Sequence, residues 1–120
     1  MPLPAPLSPE ALGALECGPL TGRDAWTAEA IAAQLAVLPR WTLVDGALQA
    51  EYRFADWWET IAFVNALAWM VHRQDHHPDL AVGYDRCTVR WSTHSAGGVT
   101  LNDFVCAART DALHDARPGR

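Results

Sequence analysis

The chain has 120 residues, half of them hydrophobic, and a formal charge of −5, which is material for one domain with a core of ordinary size. That acidic balance, with no run of basic residues anywhere, excludes direct nucleic-acid binding through phosphate contacts, because such binding needs a concentrated basic face. Cys17, Cys87 and Cys106 are odd in number and lack CxxC spacing, so they suggest neither a disulfide framework nor a thiolate zinc site, and a reducing cytoplasm is the expected compartment.

Residues 1–24 carry five prolines, among them Pro9 and Pro19, and three glycines. This is poor material for a long regular element and predicts an extended arm. The stretch has no basic n-region, and no apolar run reaches the roughly 18 residues of a membrane span. A soluble, unprocessed protein with no membrane partner is therefore expected. The folded domain is predicted over 25–115, with 116–120 as a frayed tail.

Within that domain Thr27 can cap a helix through Leu38, stopped by Pro39. Residues 41–44 read as a strand, Asp45-Gly46 as a two-residue turn, and Ala47 to Phe54 as the return strand, alternating Leu48, Ala50, Tyr52 and Phe54 with polar residues. Asp56 caps the longest predicted helix, which runs to about Asp75. Trp57, Ile61, Val64, Ala68 and Val71 are its expected core stripe, widened by Phe63, Leu67 and Met70. Trp58 and Trp69 fall on another side near His72, and so much apolar circumference predicts a subunit partner. Strands are predicted at 80–85 and 88–93. Thr100-Leu101-Asn102-Asp103 resembles a capping box that opens a last helix through His114. The fold class is α+β: a four-stranded antiparallel sheet of two hairpins with helices on one face, in the order α-β-β-α-β-β-α.

Three of the five histidines lie in two short stretches, Asp75-His76-His77-Pro78 and Thr93-His94 before Gly97-Gly98. If the long helix continued, His72 and His76, four apart, would share one of its faces. Such clustering first suggests a metal, but the helical zinc motif needs a Glu after its first histidine, and Arg73 stands there. Without a metal, clustered imidazoles suit acid/base catalysis near neutral pH, including loss of water, where a positioned acid protonates the departing hydroxide. Plainer readings stand beside this. His72 is also explained as a solvated residue at a helix end, Asp103 as a helix cap, and Trp58 and Trp69 as core or interface residues.

His72-x-x-x-His76-His77-Pro78, then Tyr84, Val89, Thr93-His94, Gly98-Val99-Thr100 and Asp103, resemble the signature of the pterin-4a-carbinolamine dehydratases, also known as dimerisation cofactors of a homeodomain transcription factor. The spacing matches without gaps, and the resemblance extends upstream through Trp41, Phe54, Asp56, Phe63 and Ala68, covering about 27 to 113. It implies the same α+β sheet, assembled as homodimers or homotetramers. It also implies dehydration of 4a-hydroxytetrahydrobiopterin, a pterin small molecule, to quinonoid dihydropterin, recycling tetrahydropterin with no metal and no cofactor.

By that resemblance His76 and His94 are the acid/base pair and His77 binds and orients the substrate, while Asp75 and Asp103 are supporting carboxylates. His72 occupies a substrate-side position that is frequently Glu in the family. A histidine cannot supply that negative charge, so the expectation is retained activity with a lower rate or a displaced pH profile. The competing readings are a non-catalytic dimerisation, coactivator or assembly-chaperone module of the same fold, and a metal hydrolase. The presence of His76, His77 and His94 together favours the enzyme.

Overall fold

Asp45 and Gly46 adopt φ of 48° and 79°, the left-handed pair that a two-residue type I′ turn requires. They join β1 (Thr42–Val44) to β2 (Ala47–Arg53), with Val44 opposite Ala47. A second hairpin joins β3 (Asp79–Val82) to β4 (Arg86–Trp91). The computed structural model describes residues 5–19 and 25–116. Its one sheet among these residues is antiparallel, in the order β1-β2-β4-β3.

The β2–β4 register decides which face is covered. Leu48, Ala50 and Tyr52 lie opposite Trp91, Val89 and Cys87, and all six are buried. On the other face Gln49, Glu51 and Arg53 meet Arg90, Thr88 and Arg86. The helices can bury apolar surface against only the first of these faces. The predicted strands were displaced in the second hairpin: β3 ends at Val82, and β4 starts two residues earlier and stops at Trp91, leaving Thr93 in an isolated bridge to Gly98.

α3 (Trp57–Gln74) is capped by the Asp56 carboxylate, which accepts from the Glu59 amide at 2.9 Å. Its buried stripe is Thr60, Phe63, Leu67, Met70 and Val71. Phe63, Leu67, Met70 and Val71 are as expected, but the centre of the stripe is corrected, since Trp57 and Ala68 are exposed and Ile61 and Val64 half-buried. The helix is rotated so that Phe63 stacks with Tyr52 and Phe54 at 5.0 and 5.2 Å, where aromatic area is gained on the sheet face.

α4 (Leu101–Asp115) is buried at every position from Asn102 to Ala108, so it is enclosed all round rather than amphipathic. The residues that complete its cover come from the N-terminal stretch. There the expectation of an extended arm is corrected: Ser8 caps a short helix, α1 (Pro9–Gly13), with Pro9 in the first turn, where its missing N–H costs nothing. Leu12 of α1 is fully buried and α1 packs on α4. Element order is therefore α-α-β-β-α-β-β-α, one helix more than predicted.

α2 (Ala28–Leu35) begins at its Thr27 cap as expected but ends three residues before Leu38, because a residue preceding proline is disfavoured in the helical region. The Gln34 side chain of α2 holds the Leu7 backbone at both N–H and C=O, at 3.0 and 2.8 Å. Residues 1–4 and 20–24 of the predicted arm, and 117–120 of the predicted tail, lie outside the described residues.

Candidate active site

α3 stops because Asp75 turns left-handed, with φ 51°. The helix thus ends where expected, at about Asp75, and since it does not continue, His72 and His76 do not share a helical face. The turn carries His76 inward instead. Its side chain is 13% exposed, and its Nε2 lies 2.6 Å from Oδ1 of the fully buried Asp103. The imidazole stacks on Trp91 at 5.4 Å and 13°, so ring plane and hydrogen bond are both fixed.

Asp103 is the acidic member of the capping box at the start of α4. Its Oδ2 accepts from the Thr100 amide at 2.9 Å and from the Thr93 hydroxyl at 2.8 Å. With its own proton given to Asp103, Thr93 Oγ1 accepts from the Thr100 hydroxyl, 2.9 Å away. One carboxylate oxygen is thus saturated by the last bridge of the sheet and the first turn of the helix, and the other is left for His76. Capping and pairing are two uses of one side chain here. The sequence marked Asp103 as a candidate for either and did not join them.

Burial pulls the His76 imidazole downward, but the hydrogen bond and charge of Asp103, with Cys17 adding to them, outweigh it and hold the group above its ordinary 6.5. Nε2–H donates to Asp103, which leaves Nδ1 to exchange a proton, and Nδ1 is hydrogen-bonded to none of the described residues. Such a pair presents a base whose conjugate acid is stabilised by a fixed carboxylate.

The other predicted site residues line three separate clefts. His77 and His72 line one cleft of about 310 Å³ with Val71, Pro78 and Leu80. His94 opens a 3-10 turn, His94–Ala96, and is exposed. It lines another cleft, about 350 Å³, with Asp45, Asp79, Arg90 and Ser92. The Thr93–Gly98 bridge, closed by N–H···O bonds of 2.8 and 3.3 Å, fixes the base of that turn. Asp75 is exposed and borders a third cleft with Cys17 and Asn102.

Among the described residues no three His, Cys, Asp or Glu side chains converge as metal ligands. Sequence reasoning missed the parts played by Thr93, Trp91 and Cys17. Period-two alternation does place Thr93 on the buried face with Val89 and Trp91, a usable signal; nothing in the sequence puts Cys17 beside residues 76 and 103.

Fold and site together define a small α+β protein whose sheet end and last helix hold a buried histidine–carboxylate pair. The family described as Pterin 4 alpha carbinolamine dehydratase matches residues 24–113, and this chain belongs to that family. Relatives provisionally named pterin-4-alpha-carbinolamine dehydratase include a Chromobacterium violaceum protein, 50% identical over 82% of this chain and 92% of its own length. A Stenotrophomonas maltophilia relative so named is 51% identical over 89% and 95%. A Brucella melitensis crystal structure described as a transcriptional coactivator/pterin dehydratase superposes with a TM-score of 0.72 at 29% identity, over 75% of this chain and 98% of that one. A pterin dehydratase-like protein identified as a RuBisCO assembly factor is more distant, at TM-score 0.52 and 25% identity over 62% and 86%.

Proposed function

We propose that the protein is a hydro-lyase that dehydrates pterin-4a-carbinolamine to quinonoid dihydropterin. The observation that carries this is the His76–Asp103 pair, at 2.6 Å and stacked on Trp91, in a chain of the dehydratase family. In the reaction the C4a–O bond breaks as the N5 lone pair moves to form C4a=N5. The hydroxide leaves as water once protonated, and the N5 proton is removed. Two proton transfers complete the balance, and they require neither redox change nor a metal.

His76 carries one of these transfers at Nδ1 and His94 the other, while His77 binds and orients the pterin. Asp103 acts through His76, as a positioning residue. His72, beside His77 in the same cleft, tunes the substrate pocket, and Asp75 is a supporting carboxylate. The protein works as a homodimer or homotetramer, supported by the exposed tryptophans of α3.

The test is the rate of dehydration of enzymatically generated 4a-hydroxytetrahydropterin, with chelator in a parallel sample. Chelator-resistant acceleration that falls about 10²–10⁴-fold in His76→Ala and in His94→Ala is the expected result. No acceleration by a folded protein would overturn the reading and favour an assembly or coactivator role of the kind ascribed to the structural relatives.

A further inference from the structure

Cys17 and Cys106 have their sulfurs 3.4 Å apart, although 89 residues separate them in sequence. Cys106 is fully buried on α4, whereas Cys17 is half-buried in the irregular segment after α1. Cys17 borders an open cleft of about 380 Å³ with Gly18, Gln74, Asp75 and Asn102. Cys17 therefore borders open space, whereas Cys106 does not.

The segment that carries Cys17 is anchored by side-chain amides. Gln74 Oε1 accepts from the Cys17 N–H at 2.7 Å, and Asn102 exchanges two hydrogen bonds with the Gly18 backbone at 3.2 and 2.9 Å. Such anchors follow a small backbone shift. Disulfide bonding needs the sulfurs to approach to about 2.05 Å, a movement well within the reach of rotamers and of an irregular chain. Cys87, the third cysteine, is fully buried on β4 and its thiol is pushed up to about 11 by burial.

We infer that Cys17 and Cys106 are a modification site: a dithiol that a hydroperoxide converts to a disulfide, stapling the N-terminal segment to α4 beside the His76–Asp103 pair. The Cys17 thiolate attacks an oxygen of hydrogen peroxide, the O–O bond breaks, a sulfenic acid forms on Cys17, and the departing hydroxide takes up the proton that the Cys17 thiol had lost, leaving as water. The Cys106 sulfur then displaces hydroxide from that sulfenic sulfur, and the Cys106 proton completes a second water. Two electrons pass from the sulfur pair to the peroxide, and a dithiol reductant reverses the change.

The local charges favour Cys17 as the attacking sulfur. The hydrogen bond from Cys106, with the facing His76 and Arg109, lowers its pKa against burial and the Asp103 charge. Cys106 is held protonated, above the ordinary thiol range, while Cys17 is its partner. Once Cys17 is a sulfenic acid, the part of that restraint that Cys17 imposes is gone, while burial and the Asp103 charge remain.

The full chain is treated with hydrogen peroxide, quenched with catalase, alkylated with N-ethylmaleimide and mapped by peptide mass spectrometry. The expected product is a 17–106 linked peptide, lighter by two hydrogens and regenerated to thiols by a dithiol, with Cys87 alkylated only after denaturation. The disulfide raises Tm by on the order of 10 °C, given the length of the loop it closes. Cys17→Ser abolishes both the linked peptide and the shift. Sulfinic acid on Cys17 without linkage, or consumption of Cys87 at the same rate, would overturn the inference, and the wild-type map decides this even if a variant fails to fold.

A second readout ties the modification to the site. Because Cys17 faces His76, NMR titration of the oxidised protein gives a His76 midpoint below that of the reduced protein. An unchanged midpoint would overturn the coupling. Neither readout depends on the dehydratase reading.

Discussion

At His76 burial and a carboxylate pull in opposite directions, and the carboxylate prevails. Replacing Asp103 by Asn removes the charge and leaves the burial. The His76 midpoint, followed by NMR, then falls below the ordinary 6.5 instead of lying above it. The same change alters stability in a defined window. The folded protein holds the His76 proton more tightly than the unfolded chain. The stability so gained is fully present below 6.5 and is lost as pH rises through the raised folded value. Urea titrations across this range should show that loss in the wild type and not in Asp103→Asn. If the two proteins kept parallel pH dependences, the pair would not be the coupled unit described above. At His72 the prediction concerns substrate chemistry: His72→Glu displaces the pH–rate curve, and an unchanged curve removes any tuning role from that position.

The elements are held in place by contacts that local propensity does not announce. Asp111 on α4 accepts from the Tyr52 hydroxyl, from Trp41 Nε1 at 3.2 Å and from Arg40 at 3.3 Å, pinning the last helix to the first hairpin. Asp111→Ala leaves buried donors unsatisfied on Trp41 and Tyr52 and should cost about 2–4 kcal/mol in urea unfolding. Gly98 closes the Thr93 bridge, and a Cβ there would lie 2.9 Å from Cβ of Ala25. Gly98→Ala is therefore expected to destabilise by about 1–3 kcal/mol, with Ala25→Gly restoring part of the loss; failure of the second substitution to rescue the first would assign the effect to the turn. The helix starts at Thr27, Asp56 and Thr100 and the Asp45-Gly46 turn were legible because each rests on one or two neighbouring side chains. The end of α3 near Asp75 was legible too, but not the form it takes, since Asp75 is neither glycine nor proline and yet turns left-handed, carrying His76 inward.

Over the whole molecule the unpartnered surface is concentrated on α3, where Trp58 is 76% and Trp69 65% exposed. They lie on one side of the helix with the exposed Ala62, Asn65 and His72. β3, at a sheet edge, is exposed along its length, including Leu80 and Val82. Such surface is covered most simply by another copy of the chain. Light scattering after size exclusion should give a dimer or tetramer for the wild type and a smaller species for the Trp58→Asp, Trp69→Asp double substitution. A monomeric wild type at the same concentration would sink the assembly proposal. Among the described residues no helix is long and apolar enough to cross a membrane.

The sequence by itself determined the class of fold, the two hairpins, the helix starts at Thr27, Asp56 and Thr100 and the residues of chemical interest, because these depend on period, capping and turn chemistry within a few positions. Tertiary structure decided what those residues do to one another. Asp103 serves His76 only because α4 is laid against the end of β4, and α3 turns its Phe63–Leu67–Met70 side inward because Tyr52 and Phe54 wait there. The stretch that read as a loose arm became part of the core when Leu12 found α4. In each case the deciding energy is burial or a hydrogen bond between segments far apart in the chain, which short-range pattern does not encode.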